Sequence, residues 1–140
     1  MKSIINSIYI ILLVISYNVN SQTKKTSIAE TYYKSAVNSI ETNDLDNAII
    51  YINKSISIES NNSNAYYTKG VIYQKKLNYD VALTCYKKAL QLNPNNSEAM
   101  LKCGIVYGKK NDMANCCKYL KLACDNGDNN GCSGYSKFCK

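Results

Sequence analysis

The chain has 140 residues, 46% of them hydrophobic and 19% charged, a composition typical of a globular domain with one modest core. Its formal charge is +7, and all seventeen basic residues are Lys, so it has no guanidinium group for bidentate phosphate recognition. The lysines are scattered or stand in short pairs. This pattern argues against a nucleic-acid partner and favours solvated helix faces.

The first twenty-one residues have the layout of a secretory signal peptide. Lys2 supplies an early positive charge, an apolar run extends from Ile8 to Ile15, and a polar stretch ends at Ser21. The apolar run is well short of the ~20 residues that a membrane-spanning helix needs. We therefore expect cleavage before Gln22 and an exported, periplasmic or secreted, mature chain without an integral membrane span. An uncleaved anchor is the alternative.

The rest of the chain repeats with a period of about 34 residues. Apolar residues recur at spacings of three and four, as in the stripe formed by Leu45, Ala48 and Ile52, and Asn-rich turn segments interrupt the pattern. These features predict a series of helical hairpins. Ser27 and Asn95, each followed three residues later by Glu, have the spacing of capping boxes and predict two helix starts.

The middle copy resembles the tetratricopeptide repeat (TPR), whose pattern it meets at Tyr66, Gly70, Tyr73, Ala82, Tyr86, Ala89 and Pro94. Weaker copies in the same register lie on either side. The resemblance implies an all-α fold, a right-handed α-solenoid of about three TPR helical hairpins plus a C-terminal capping helix. The implied division is a signal peptide at 1–21, a linker at 22–28, repeats at 29–62, 63–96 and 97–128, and a disulfide-stapled capping helix at 129–140.

Stacked TPR hairpins present the first helix of each repeat to a concave groove. By resemblance, the groove positions are Tyr33, Val37, Ile40, Tyr67, Val71, Gln74, Lys75, Leu101, Ile105 and Lys109. This surface is apolar and aromatic with a basic edge, so it suits a peptide with some acidic character. The alternative for any one of these residues is that it merely packs against neighbouring helices.

Six of the seven cysteines lie from Cys103 onward, and an exported chain can oxidise them. Residues on opposite arms of a helical hairpin face each other when their numbers are symmetric about the turn. Around the loop at 125–130, this rule pairs Cys124 with Cys132 and Cys117 with Cys139. The C-x7-C spacing of the first pair also resembles that of the cysteine-rich Sel-one-like repeats, relatives of the TPR.

The remaining three cysteines are harder to assign from the sequence. Cys85 and Cys103 are symmetric about Pro94 and form a further candidate disulfide, with Cys103–Cys116 as a competing pair. Under the first pairing Cys116 is the odd cysteine, and we expect it to be a buried core thiol rather than a reactive one.

The sequence lacks the residue combinations that most catalytic sites use. The chain contains no His, so it has no Ser-His or Cys-His nucleophile pair and no imidazole metal ligand, and we expect no catalytic residue, metal or cofactor. The sequence therefore predicts an interaction module or scaffold that binds a peptide or protein segment in its groove. A structural subunit of a bacterial envelope or secretion assembly is the alternative, and a cysteine-dependent or cell-wall-related enzyme is less favoured.

Overall fold

A computed structural model describes residues 2–139, with side-chain surroundings from residue 8 onward. Every element of regular structure in this range is an α-helix, which confirms the predicted all-α class. The helices are α1 (Lys2–Glu41), α2 (Leu45–Ile58), α3 (Ser63–Lys75), α4 (Tyr79–Leu92), α5 (Ser97–Lys109), α6 (Met113–Asp125) and α7 (Asn129–Phe138). Met1 of the predicted signal peptide and Lys140 of the predicted cap lie outside the described residues.

An Asp or Asn stands directly before each helix from α2 to α7, and its side-chain oxygen accepts a hydrogen bond from the backbone N–H three residues on. These capping residues are Asp44, Asn62, Asn78, Asn96, Asp112 and Asp128. The predicted start at Asn95 is therefore displaced by one residue. The predicted start at Ser27 is wrong, because this residue lies inside α1.

α1 is 40 residues long and continues without a break through residues 22–28, where the sequence predicts a linker. No Gly or Pro precedes Gly70, so nothing in this stretch interrupts a helix. The large apolar side chains between Ile8 and Val19 are all more than half exposed. Within the described chain, no helix is both long enough and apolar enough to cross a membrane.

The helices form three hairpins, α1–α2, α3–α4 and α5–α6, and α3 and α5 begin at the same repeat position, as do α4 and α6. One core cluster joins the first hairpin to α3 through small and branched residues such as Ala48, Ile52 and Ile72. A second cluster, centred on the fully buried Tyr86, joins α4 to α5 and α6. The core is therefore a chain of contacts between successive hairpins, as expected for a solenoid.

Within each hairpin the turn places one residue in the left-handed backbone region, directly before the capping residue. Asn43, Leu77 and Asn111 occupy this position, with φ near 60°. The turn between α6 and α7 uses Gly127 in the same way, at φ 86°. α7 is therefore attached by the short turn found inside repeats, which folds it directly back on α6.

α7 closes the C-terminal end of the solenoid by packing on α6. Gly131 makes the close approach possible, because a Cβ there would lie 2.7 Å from the Cβ of Ala123. The structure links the two helices through Cys117 and Cys139, with Cα atoms 5.5 Å apart, and through Cys124 and Cys132, at 4.5 Å. These are the pairs that the symmetry of the hairpin predicts.

Candidate functional site

The first helices of the hairpins lie side by side and contact one another through tyrosine hydroxyl groups. The hydroxyl of Thr68 on α3 donates to that of Tyr33 on α1 over 3.3 Å, and the hydroxyl of Tyr67 on α3 donates to the carboxylate of Glu98 on α5. We call the surface of α1, α3, α5 and α7 on this side the inner row. Hydrogen bonds therefore join α3 to both α1 and α5 in this row.

The middle of the inner row is largely committed to internal packing. The ring of Tyr67 packs on that of Tyr86 with centroids 5.7 Å apart, and Val71 lies against the same core cluster. The hydroxyl of Tyr86 donates to Gln74 over 2.7 Å. Burial, together with the hydrogen bond to Glu98, raises the pKa of Tyr67, so this phenol stays neutral at physiological pH.

The three predicted groove positions on α1 are half-buried. Tyr33 and Ile40 pack against the core cluster of the first hairpin, and Val37 lies between them on the same helix. On α3, Lys75 is exposed at the C-terminal end of the helix. These positions offer contact area and charge along the inner row but do not enclose a cavity.

The C-terminal end of the inner row forms an open cavity of about 560 Å³. It brings together the three predicted groove residues of α5, namely Leu101, Ile105 and Lys109. We call this space the C-terminal cavity. Its size falls within the range of pockets that hold small ligands.

Seven further residues line the C-terminal cavity, and the sequence reasoning assigned none of them to the groove. They are Gly108, Met113, Cys116, Leu120, Asn130, Gly134 and Phe138. The sequence predicted α7 as a cover for the core, whereas the structure also makes it a wall of the groove. The i,i+4 spacing of Gly134 and Phe138, which places them on one face of α7, is the signal that could have revealed this.

Exposed apolar side chains converge on the C-terminal cavity. Ile105, Met113 and Phe138 are 36%, 45% and 56% exposed, and all three border it. They come from three different helices, so their meeting is a property of the tertiary structure. A contiguous exposed apolar patch of this kind is typical of a contact site for another molecule.

Charge at the C-terminal cavity is purely basic. Lys109 is the only charged residue among those that line it, and within the described residues it forms no ion pair. The adjacent Lys110 instead bonds to Asp80, and Lys76 bonds in the same way to Asp46 over 2.8 Å. These repeating bridges join neighbouring hairpins and leave Lys109 free to meet an anionic group.

Cys85, Cys103 and Cys116 are buried and unpaired in the structure. Neither the candidate pair Cys85–Cys103 nor the competing pair Cys103–Cys116 is formed. Cys103 packs in the core cluster around Tyr86. Cys85 directly precedes Tyr86 on α4 but lies outside that cluster and borders a cavity between α3 and α4. The pairing predicted from symmetry about Pro94 is therefore wrong. Symmetry in residue number does not show whether two side chains on neighbouring helices point towards each other.

The unpaired thiols are not activated for chemistry. Burial raises the pKa of Cys103 to about 12 and also raises the pKa of Cys116. A nucleophilic cysteine requires a lowered pKa, because the thiolate is the reactive form. These thiols are therefore suited to packing rather than to catalysis.

A second cavity of about 590 Å³ lies between α3 and α4. Tyr66, Tyr73 and the buried Cys85 line it together with three lysines and other polar residues, and none of the ten predicted groove positions takes part. This cavity exposes less apolar surface than the C-terminal cavity does.

The architecture defines a class: a helical-repeat solenoid whose inner row lines a groove. Tetratricopeptide-repeat models match residues 21–62 and 63–96 of the sequence. Since these adjoining matches cover more than half of the chain, the protein belongs to the tetratricopeptide-repeat family. Proteins of this family typically act as interaction modules rather than as enzymes. No curated protein matches the sequence.

Solved structures of TPR proteins share the fold. MamA is 25% identical, with a TM-score of 0.70 over 75% of this chain, and the chain spans 61% of the length of MamA. The TPR2B domain of yeast Sti1 in complex with pHsp70 is 16% identical (TM-score 0.75, 79% of this chain and 95% of that one). The Yersinia enterocolitica type III secretion chaperone SycD, in complex with a peptide of the translocator YopD, is 16% identical (TM-score 0.73, 78% and 90%).

Proposed function

We propose that this protein is an exported TPR module that binds a peptide or protein segment along its inner row. The observation that carries the proposal is the convergence of exposed apolar side chains on the C-terminal cavity beside an unpaired lysine. The structural neighbours add support, because the Sti1 domain was solved as a complex with pHsp70 and SycD as a complex with a YopD peptide. We expect its partner to be a protein or peptide that is itself periplasmic or secreted.

Chemical crosslinking followed by affinity purification of the protein from its native envelope tests this proposal. A double variant with Lys75→Glu and Ile105→Ser changes the inner row at two helices, and both residues are exposed in the folded chain. We expect the double variant to lose the crosslinked partner and to keep its helical circular dichroism spectrum. Unchanged capture by the double variant would refute the groove assignment.

Leu122→Ser is a matched control, because Leu122 is 37% exposed, almost the same as Ile105 at 36%, but lies on α6 away from the C-terminal cavity. We expect this control to retain the partner. Loss of the partner in the control alone would instead favour the alternative of a structural subunit held through its outer helices.

Export is a separate part of the proposal. The apolar side chains between Ile8 and Val19 are more than half exposed, so from residue 8 onward the predicted signal segment contributes no buried side chain to the repeats. Two cysteine pairs within bonding distance on α6 and α7 also suit an oxidising compartment. N-terminal sequencing of the protein recovered from its native source should begin at Gln22. A cytosolic protein that keeps Met1 would contradict export.

A further inference from the structure

We infer that the C-terminal cavity is an anchor site for one bulky apolar side chain that lies next to a carboxylate in the partner, and that the Cys117–Cys139 link keeps this site formed. The inference rests on the proposed groove function and specifies it. It states that the C-terminal cavity is the part of the inner row that selects the partner. It also states that this cavity is formed only while the Cys117–Cys139 disulfide is intact.

The apolar half of the inference follows from the residues that form the cavity. Ile105 of α5 and Phe138 of α7 both line it, and Leu120 of α6 lines it as well, at 4% exposure. An apolar side chain that enters would remove exposed surface on both walls from water, and burying such a side chain is favourable by roughly 1.5–3 kcal/mol. Anchors of this kind contribute most of the binding energy in many interfaces.

The anionic half follows from charge. No acidic residue lines the cavity, and the ammonium group of Lys109 has no partner within the described part of the chain. Lys75, one repeat earlier on the inner row, is likewise exposed and forms no ion pair with any described residue. A carboxylate beside the apolar anchor would meet Lys109, whereas an ammonium group there would be repelled.

The disulfide condition follows from two adjacent pairs of residues. Cys116 and Phe138 both line the cavity, and the residue that follows each of them, Cys117 and Cys139, forms the link between α6 and α7. The link therefore holds the end of α7 at the point where Phe138 closes the cavity. It lies beside the binding surface rather than at a distance from it.

α7 needs this link because it is a weak helix by itself. It has ten residues and contains two glycines, Gly131 and Gly134. Isolated helices shorter than ~12–15 residues are marginal in water, and each glycine costs about 1 kcal/mol relative to Ala. Reduction would free the end of α7 and open the wall that Phe138 provides.

Selection from a display library of random dodecapeptides against the oxidised exported protein tests the inference. We expect the selected peptides to share one large aliphatic or aromatic residue next to Asp or Glu. Replacing that residue with Ala, or introducing Phe138→Ser or Lys109→Glu in the protein, should weaken binding at least about tenfold. The Leu122→Ser control should bind as the unmodified protein does.

The Cys117→Ser, Cys139→Ser double variant tests the disulfide condition, and it should lose at least about tenfold in affinity for the selected peptides. Equal affinity in the oxidised protein and the double variant would overturn the condition. Peptides whose binding is unchanged by Phe138→Ser but lost with Lys75→Glu would overturn the anchor site and leave the groove function standing. A library that yields no binding peptide would overturn both.

A second copy of the chain is the competing occupant of the cavity. Sedimentation analysis of the oxidised protein should show a monomer whose state is the same in the Phe138→Ser variant. A dimer that dissociates on this substitution would show that the cavity is a self-association surface, and the anchor inference would be wrong.

Discussion

Substituting Gly70 by Ala should destabilise the protein, although alanine is the better helix former. Gly70 lies inside α3, where it faces the ring of Tyr86 on α4. A Cβ at this position would lie 2.5 Å from Cε1 and 2.6 Å from Cδ1 of that ring. These separations are far below van der Waals contact, so the ring or one of the helices has to move.

The ring of Tyr86 has no direction in which to move freely. It is fully buried, its hydroxyl donates to Gln74, and it packs against the ring of Tyr67 of the inner row. Overpacking of such a site costs about 1–3 kcal/mol, and losing the hydrogen bond costs about 1 kcal/mol more. The gain in helix propensity offsets about 1 kcal/mol. The net expectation is a loss of about 1–3 kcal/mol.

Urea denaturation followed by circular dichroism measures this loss, and Gly108→Ala is the matched control. Gly108 also lies inside a helix, but a Cβ there meets only the sulfur atom of Cys116, at 3.3 Å. We expect the control to be neutral or more stable by up to about 1 kcal/mol. Equal effects of the two substitutions would refute the argument that Tyr86 requires glycine at this crossing.

Three further predictions concern a turn, the disulfide link and pH. Leu77 and Asn111 both have left-handed backbone conformations, which Asn tolerates better than Leu. In urea denaturation, Leu77→Asn should therefore stabilise the protein by about 0.5 kcal/mol and Asn111→Leu should destabilise it by about 1 kcal/mol. A lower free energy of unfolding for Leu77→Asn would contradict the reasoning. Replacing both Cys117 and Cys139 by Ser should cost about 3 kcal/mol, since the link closes a loop of sequence separation 22; an unchanged midpoint would mean that the link is absent in the oxidised protein. The pKa of Tyr67 is raised above its ordinary value of 10.0 in the folded chain, so above pH 10 the unfolded chain loses the phenol proton first and stability falls. Tyr67→Phe should therefore make the thermal midpoint decline less steeply at alkaline pH. An identical decline in the variant would exclude this phenol as the cause.

The sequence by itself determined the all-helical hairpin architecture. Apolar stripes at spacings of three and four, Asn-rich turns and the repeat period are local patterns, and they give the type and order of the elements without knowledge of the packing. The same regularity explains why symmetry about residue 128, which follows Gly127 in the short turn, brings Cys117 and Cys139, and Cys124 and Cys132, together in the structure.

The tertiary structure decided which inner-row residues remain available to a partner. A periodic stripe indicates which face of a helix is buried, but not what the face packs against. Tyr67 bonds to Glu98, 31 residues away, whereas Ile105, one helical turn beyond the position equivalent to Tyr67 in the next repeat, stays 36% exposed. The same limit explains the unpaired Cys103, which packs around Tyr86 rather than bonding to another thiol.

The part played by α7 also became visible only in three dimensions. Its sequence is short and glycine-containing and predicts a cover for the core, yet Phe138 reaches the inner row and closes a cavity with Ile105. This juxtaposition depends on the short turn that folds α7 back on α6 and on the side chains of three helices at once. The residues of such a site are close in space but far apart along the chain, so no local sequence pattern predicts it.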